Sequence, residues 1–249
     1  MKKTLFFGLM AAALTFTSCS SDNDSVLDEA TQQGMVLRAT VEQPAEARAT
    51  IDNRGETWQF AFTLSDKVRV TNTTLISDYY TFTNKGKDFE CEDAKPTSSA
   101  ADWYAYFPWE EINLIGQSGT LDNVAKLYAL AGSQSNTVGE KGLSITMQPQ
   151  VAILKITNNK GEININVKTS LDNYVTGLEV KDKVFEVQES TTFASLFTTS
   201  DKKTNYDIYI VVPAGKQLSI KDGGNTVKST LKDGLTAGCY YELTIPESK

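Results

Sequence analysis

Residues Glu162–Lys168, with the sequence EININVK, alternate without a break between polar and apolar side chains. In an extended chain successive side chains point to opposite faces, so Ile163, Ile165 and Val167 share one face. The polar residues share the other face, which is typical of a half-buried strand in an antiparallel sheet. The stretch therefore predicts a fold built from sheets.

The same period of two recurs along the chain, and helical periodicity is scarce. Alternating stretches occur at residues 58–62, 67–70, 218–221 and 241–245. Ile208–Val212 is instead a run of five apolar residues stopped by Pro213, which predicts a strand covered on both faces. Turn signals at Asn158–Gly161, Lys181–Lys183 and Asp222–Asn225 each predict a hairpin between sequential strands. We expect an all-β protein.

The N-terminus has the composition of a lipoprotein leader. Met1–Lys3 is basic, Leu5–Phe16 is apolar, and Ser18 precedes Cys19, as a lipoprotein signal peptidase requires. The apolar run is too short for a membrane helix, which needs about 20 residues. We expect removal of residues 1–18 and acylation of Cys19, which would attach the mature chain to a membrane. An ordinary secretory signal followed by a chance cysteine is the alternative.

The residues after Cys19 indicate where the exported chain goes. Ser20–Asp24 is polar and acidic, and it resembles the export signal of surface lipoproteins in certain Gram-negative anaerobes. That resemblance implies the outer face of the outer membrane, although a plain solvated tether has the same composition. Asp24–Val26 resembles an O-glycosylation acceptor pattern of those bacteria, which makes Ser25 a candidate glycosylation site.

Composition argues against several classes of function. The net charge of −7 disfavours nucleic acid as a partner. Histidine is absent, so no Ser-His or Cys-His nucleophile pair and no imidazole metal ligand exists. We expect no enzyme, no cofactor and no metal. Cys91 and Cys239 lie on apolar sides of alternating stretches and are expected to be buried, and whether they pair stays open.

A polar stretch at Ala131–Gly142, rich in Gly, Ser and Asn, divides the chain and predicts a loop or domain joint. The expected organisation is a tether at 19–34, an N-terminal β-sandwich domain at 35–140 and a C-terminal one at 141–249. One larger sandwich with a long loop is the competing interpretation.

Several stretches, taken in order, resemble one family. They are Arg48–Asn53, Trp58 ahead of Asp66–Val70, Trp103–Pro108 (WYAYFP), Ile145–Ile156, Ile210–Gly215 and Leu235–Tyr241. Together with the lipoprotein leader they resemble the fimbrillin-like proteins, which include type V pilus and Mfa-like fimbrial subunits. Each motif is loose alone, but their order covers most of the mature chain.

This resemblance implies a fold and an assembly mechanism. Fimbrillin-like proteins form two tandem transthyretin-like antiparallel sandwiches. Their pilus-forming members exchange strands after a trypsin-like protease cuts behind an arginine. Here the cut would fall between Arg48 and Ala49, with Arg38–Ala39 as a second choice. The displaced strand would present the alternate residues Met35, Leu37, Ala39 and Val41. An exposed loop arginine without a processing role is the alternative for Arg48.

The expected partners are other fimbrial subunits, the outer membrane through the lipid, and a host or bacterial surface glycan or protein. The chain is short for a stalk subunit and shows no spare C-terminal donor tail, which favours a minor, tip or anchor component. A monomeric glycan-binding surface lipoprotein is the alternative. It would use exposed aromatic side chains, and Trp109, which follows Pro108 in a predicted loop, is the first candidate. Trp58 shares an alternating face with Phe60 and is expected in the core.

Overall fold

The computed structural model describes residues 36–41, 60–73, 79–91, 102–108, 111–135, 142–230 and 233–247. Within them the chain forms seventeen strands and one short helix, so the all-β prediction is confirmed. The strands are β1 Val36–Val41, β2 Lys67–Asn72, β3 Tyr80–Asn84, β4 Phe89–Cys91, β5 Trp103–Phe107, β6 Ile112–Asn113, β7 Leu130–Gln134, β8 Leu143–Pro149, β9 Val151–Asn158, β10 Ile163–Thr169, β11 Tyr174–Lys181, β12 Val184–Ser190, β13 Phe197–Thr199, β14 Tyr206–Pro213, β15 Leu218–Asp222, β16 Asn225–Ser229 and β17 Tyr240–Ile245. Helix α1 spans Leu121–Leu127, and its first turn is capped by the Thr120 hydroxyl.

Seven of the strands close into a barrel in the order β1-β4-β3-β2-β5-β7-β8. Strand β8 shows why such strands form: its residues alternate strictly between buried and exposed, which places one face on a core and the other in solvent. The buried faces of the seven strands meet inside the barrel. Trp103 and Phe82 are fully buried there, so Trp103 is a core residue and not a ligand platform.

Aromatic rings extend this core beyond the strands. The Phe60 ring stacks on Tyr128 with centroids 5.2 Å apart, and the Phe62 ring meets Phe107 edge-on at 5.3 Å. Residues 60–62 are not in a strand, so the strand predicted across 58–62 is wrong over its described part. Ring packing holds this segment against the core outside any strand, a distinction that alternation alone does not make. The core position expected for this aromatic face is correct for Phe60.

The remaining strands form two further sheets. One has β12-β11-β10-β15-β16 as its main order, with β13 and β6 pairing alongside, and the other is β14-β9-β17. Strand β10, which contains the EININVK stretch, pairs with β11, β13 and β15. The hairpins predicted at Lys181–Lys183 and Asp222–Asn225 are confirmed by the β11–β12 and β15–β16 pairs. Asn158–Gly161 instead links strands of different sheets, so that predicted hairpin is wrong.

The polar stretch at Ala131–Gly142 is in part a strand. Residues 131–134 belong to β7, which pairs with β5 and β8, so the loop predicted there is wrong for these residues. Gly132 has a packing reason, because a Cβ at this position would overlap the Thr146 carbonyl oxygen of β8. A glycine at this position lets strands β7 and β8 of the barrel approach closely. The division between residues 140 and 141 stays a prediction; β8, which follows it, pairs with β1 and β7.

Both cysteines of the described chain are buried thiols, and no disulfide joins them. Burial raises the pKa of the Cys239 thiol, which keeps it protonated and unreactive. The expectation that both are buried is confirmed. No helix among the described residues is long and apolar enough to cross a membrane.

Candidate strand-exchange site

Strand β1 closes the barrel by lying between β8 and β4. It runs parallel to β8, in a register that pairs Leu37 with Leu143 and Val41 with Met147. On its other side it runs antiparallel to β4, where only Val36 and Leu37 have partners. Most of its main-chain pairing is therefore with one neighbour, and without β1 both β4 and β8 would become open edges.

The side chains of β1 hold it less firmly than its hydrogen bonds suggest. Leu37 is 0% exposed and packs in the barrel core, whereas Ala39 and Val41 are only half buried. Full burial of one leucine stabilises by about 1.5–3 kcal/mol. A six-residue strand with one such anchor is among the easier elements of a core to replace.

Two polar contacts add to this attachment from the exposed face. Arg38 Nε lies 3.3 Å from Asp88 Oδ1, between side chains that are 47% and 22% exposed. Solvent-exposed ion pairs of this kind contribute about 0–1 kcal/mol. The Thr40 hydroxyl lies 3.3 Å from that of Thr146 on β8. Both contacts face solvent, so neither would oppose the departure of β1 by much.

Gly142 shapes the point where β1 begins. Its φ is +88°, a conformation that glycine adopts without strain, and a Cβ there would overlap the Val36 carbonyl oxygen. The start of β8 can therefore lie directly against the backbone of β1. Any strand that replaced β1 would meet the same narrow entrance.

The structure places three of the predicted site residues, Leu37, Ala39 and Val41, in β1. Their displacement stays a prediction. The other predicted site residues, Cys19, Ser25, Met35, Arg48, Ala49 and Trp109, lie outside the described residues. The structure thus brings together the displaced-strand residues of β1 and says nothing of the lipidation, glycosylation or cleavage positions.

Sequence reasoning did not identify the acceptor side of this site. The parallel partner β8 and Gly142 were not singled out, although the alternation of Leu143, Ile145 and Met147 signals a half-buried strand. Alternation says that a strand has a buried face and does not say which strand lies beside it. A parallel partner more than a hundred residues away leaves no local mark in the sequence.

Two further observations concern metal-binding groups and titratable side chains in the described part of the chain. Among the described residues, no group of three or more Cys, Asp or Glu side chains is arranged to hold a metal ion. The aromatic hydroxyl of Tyr128 is held neutral, since burial raises its pKa to about 12.

Comparison with known proteins gives fold-level likeness alone. No family model matches the chain, and no curated protein matches it. It is similar to the crystal structure of a putative cell adhesion protein from Bacteroides ovatus, with a TM-score of 0.48, 12% identity, and coverage of 86% of this chain and 92% of the other. A putative cell adhesion protein from Bacteroides uniformis is similar with a TM-score of 0.47 and 12% identity, and the match covers 88% of this chain and 94% of the other.

A fimbrial protein from Bacteroides ovatus is also similar, with a TM-score of 0.37 and 11% identity; the match covers 87% of this chain and 51% of the other. The three solved structures named here are two putative cell adhesion proteins and one fimbrial protein of Bacteroides, each at 11–12% sequence identity.

Proposed function

We propose that this chain is a surface-exposed lipoprotein that acts as a structural or adhesive subunit of a pilus. In this proposal Cys19 carries the lipid, the outer membrane holds the precursor, and a trypsin-like protease cuts between Arg48 and Ala49. Strand β1 then leaves and a strand of another subunit takes its place. The chain would form two transthyretin-like domains, at 35–140 and 141–249, with β8 of the second domain completing the barrel of the first. Ser25 would carry a glycan in the tether.

One observation carries the proposal: β1 completes the barrel between two strands while anchoring only one fully buried side chain, Leu37. Its loss would open two rows of unpaired main-chain groups and one deep side-chain hole. An extended segment from another chain could satisfy both, which is how strand addition binds. Few other interactions would have to be broken first.

The cut would change β1 from an internal strand into a detached one. After cleavage behind Arg48, the segment that contains β1 would be held to the barrel by non-covalent contacts alone. The same segment would carry the lipid on Cys19, so its departure would also release the subunit from the membrane. A single cleavage would therefore both release the subunit from the membrane and prepare it to accept a strand of another subunit.

The proposed position is a minor, tip or anchor subunit that accepts a strand. If the C-terminal strand β17 served as the donor, it would have to leave its own sheet. The C-terminal strand β17 buries four apolar side chains, Tyr240, Tyr241, Leu243 and Ile245, so its release would expose far more core than the release of β1. A subunit that accepts a strand but donates none would fit the end of a filament better than its shaft.

The experiment is peptide exchange after limited trypsin digestion of the folded chain. A fluorescent peptide of residues 35–48 is added to uncut and cut protein, and incorporation is followed by anisotropy, native mass spectrometry and size-exclusion chromatography. We expect incorporation only after cleavage at Arg48, with N-terminal sequencing that begins at Ala49. If the cut protein forms oligomers when no peptide is added, the chain also donates a strand.

Two arginine variants complete this test. Arg48→Ala should block both the cut and the exchange, whereas Arg54→Ala, a matched change six residues further on, should leave both intact. Strand exchange would be contradicted if the protein is cut at Arg48 but stays monomeric and does not bind the peptide. That outcome would favour the alternative of a monomeric glycan-binding surface lipoprotein.

A further inference from the structure

A cleft of about 460 Å³ lies on the outer face of the barrel, on the side opposite the core. Strands β5, β7 and β8 form its floor, and the turn between β11 and β12 forms its far wall. Its functional side chains are Tyr104, Tyr106, Ser133, Thr146, Gln148 and Lys183. We call this the outer cleft. Its volume falls within the range of small-ligand sites, about 300–1,000 Å³.

Alternation along β5 brings the two tyrosines to this face. Trp103, Ala105 and Phe107 are buried in the barrel core, so Tyr104 and Tyr106 between them point outward. The register places Tyr104 opposite Ser133 and Tyr106 opposite Ala131 of β7. The outer cleft is therefore built on regular strands, which hold their side chains in fixed positions.

Tyr106 has a hydroxyl that the protein does not satisfy. The residue is 1% exposed, its ring packs edge-on against Phe185 at 5.8 Å, and its hydroxyl has no hydrogen-bond partner among the described residues. Buried polar groups almost always have partners, so an orphan beside a cavity indicates a missing one. Burial and the nearby Tyr104 raise the pKa of Tyr106 well above its usual 10, so the hydroxyl keeps its proton and can donate.

The charged residue that lines the outer cleft is Lys183, and Arg69 lies nearby. Lys183 Nζ lies 5.3 Å from the centroid of the Tyr104 ring and makes no ion pair with any described residue. Arg69, opposite Tyr106 on β2, stacks on Tyr79 at 4.1 Å, and its buried Nε has no partner in the described chain. No carboxylate is among the described residues that line the cleft. A protein with a net charge of −7 thus presents a locally basic spot here.

The remaining lining residues are uncharged, and some of them carry hydrogen-bonding groups. Ser133 and Thr146 carry hydroxyls, the second of which contacts the Thr40 hydroxyl, and Gln148 and Gln150 carry amides, the second of which donates to the Gln148 carbonyl oxygen. A ring with several hydroxyl groups and an apolar face matches this mixture of aromatic, hydroxyl and amide surfaces, and an acidic group on the ring would match Lys183.

We propose that the outer cleft binds a short acidic saccharide, with Tyr104 against the sugar face, Tyr106 donating to a sugar oxygen and Lys183 pairing with the carboxylate. This goes beyond strand exchange and does not depend on it, because the cleft is complete while β1 is in place. A carboxylate-bearing sugar occurs both in sialylated glycans and in glucuronate-containing polymers.

Isothermal titration calorimetry with two matched sugar pairs tests this. The uncut full-length chain is titrated with 3′-sialyllactose and lactose, and with a hyaluronan tetrasaccharide and chitotetraose. We expect one acidic sugar to bind about tenfold or more tightly than its neutral counterpart, as one charge-assisted hydrogen bond provides. Which acidic sugar binds identifies the source of the ligand.

Three variants then locate the binding. Tyr106→Phe removes only the orphan hydroxyl, so we expect about tenfold weaker binding with an unchanged or higher melting temperature. Lys183→Met should abolish the preference for the acidic sugar. Phe193 is an aromatic residue outside the cleft whose side chain is 54% exposed. The control variant Phe193→Ala should bind the acidic sugar with the affinity of the unmodified chain.

Three results would overturn the proposal: no binding of either acidic sugar, equal binding of the acidic and neutral members of each pair, or unchanged affinity in Tyr106→Phe. None of these depends on whether Arg48 is cleaved, so failure here and failure of strand exchange can be told apart.

Discussion

Strands β1 and β17 are both six residues long and both run parallel to their main partner, yet they are held in different ways. Strand β1 pairs with two neighbours, β8 and β4, while β17 pairs with one strand of the described chain, β9. Burial has the opposite ranking, with one fully buried side chain in β1 and four buried apolar side chains in β17. Since ladder bonds are remade by any incoming strand, side-chain burial decides which strand can be replaced.

The contrast extends to polar contacts. Strand β17 is tied to β9 by a Lys155 Nζ to Glu242 Oε1 contact of 3.2 Å, and the Tyr241 hydroxyl accepts a hydrogen bond from the Thr236 amide at 2.9 Å. Strand β1 has an exposed pair at Arg38 and a hydroxyl contact at Thr40. The C-terminal strand is therefore part of the permanent core, whereas β1 is a closing element.

The largest expected effect comes from removing each strand whole. A chain that ends at Cys239 loses four buried side chains, each contributing about 1.5–3 kcal/mol, which approaches the entire stability of about 5–15 kcal/mol. We expect it to lose cooperative thermal unfolding in circular dichroism. A chain that begins at Ala49 should keep a cooperative transition at a lower temperature. If the chain that ends at Cys239 unfolds cooperatively and the chain that begins at Ala49 does not, β1 contributes more to the core than β17.

A smaller effect is expected from the single anchor of β1. Leu37→Ala should lower the free energy of unfolding of the uncut chain by about 2–5 kcal/mol, because the barrel cannot fill the cavity. Urea denaturation followed by fluorescence measures it. Ala39→Gly, a truncation at a half-buried position of the same strand, serves as the control and should cost clearly less. Equal losses at the two positions would show that Leu37 is not the anchor.

The entrance of β1 should respond to an added methyl group. Gly142→Ala places a Cβ against Val36 and forces an unfavourable φ, at a cost of about 1–3 kcal/mol. We expect faster amide hydrogen exchange in β1, with the far sheets unaffected. Gly224→Ala is the matched control, since a Cβ there meets nothing within 4 Å. Unchanged exchange at Leu37 in the first variant would argue against a tight entrance.

The smallest effect is expected at the exposed ion pair. Arg38→Gln and Asp88→Asn, alone and together, should give a coupling free energy below about 1 kcal/mol in a double-mutant cycle, and salt should reduce it further. Chemical denaturation at low and high ionic strength measures it. A coupling several times larger would mean that this surface contact, and not Leu37, retains β1.

Local patterns in the sequence predicted strands better than they predicted partners. The EININVK stretch and the hairpin at Asp222–Asn225 were correct, because alternation and turn chemistry act over a few residues. The hairpin at Asn158–Gly161 was wrong, since the same turn chemistry also serves a crossing between sheets. The loop expected at residues 131–134 was wrong because Gly132 is present for close packing against β8 and not for a turn.

The candidate sites divide in the same way. The resemblance to fimbrillin-like proteins pointed to the strand that contains Leu37, Ala39 and Val41, but its partners β8 and β4 were not visible in the sequence. The outer cleft was also missed. Tyr104 and Tyr106 could be recognised as aromatic residues of a strand, but their position beside Lys183 depends on the β11–β12 turn reaching the barrel.

By itself, the sequence determined the all-β class, several of the strand positions and a set of motifs that resemble fimbrillin-like proteins, because side-chain alternation and turn residues express the local geometry of an extended chain. The tertiary structure alone decided that β1 closes a barrel with a single deep anchor, and that two outward tyrosines meet a lysine in a cleft. Both depend on contacts between residues far apart in the chain, and no local pattern encodes which distant strand will supply them.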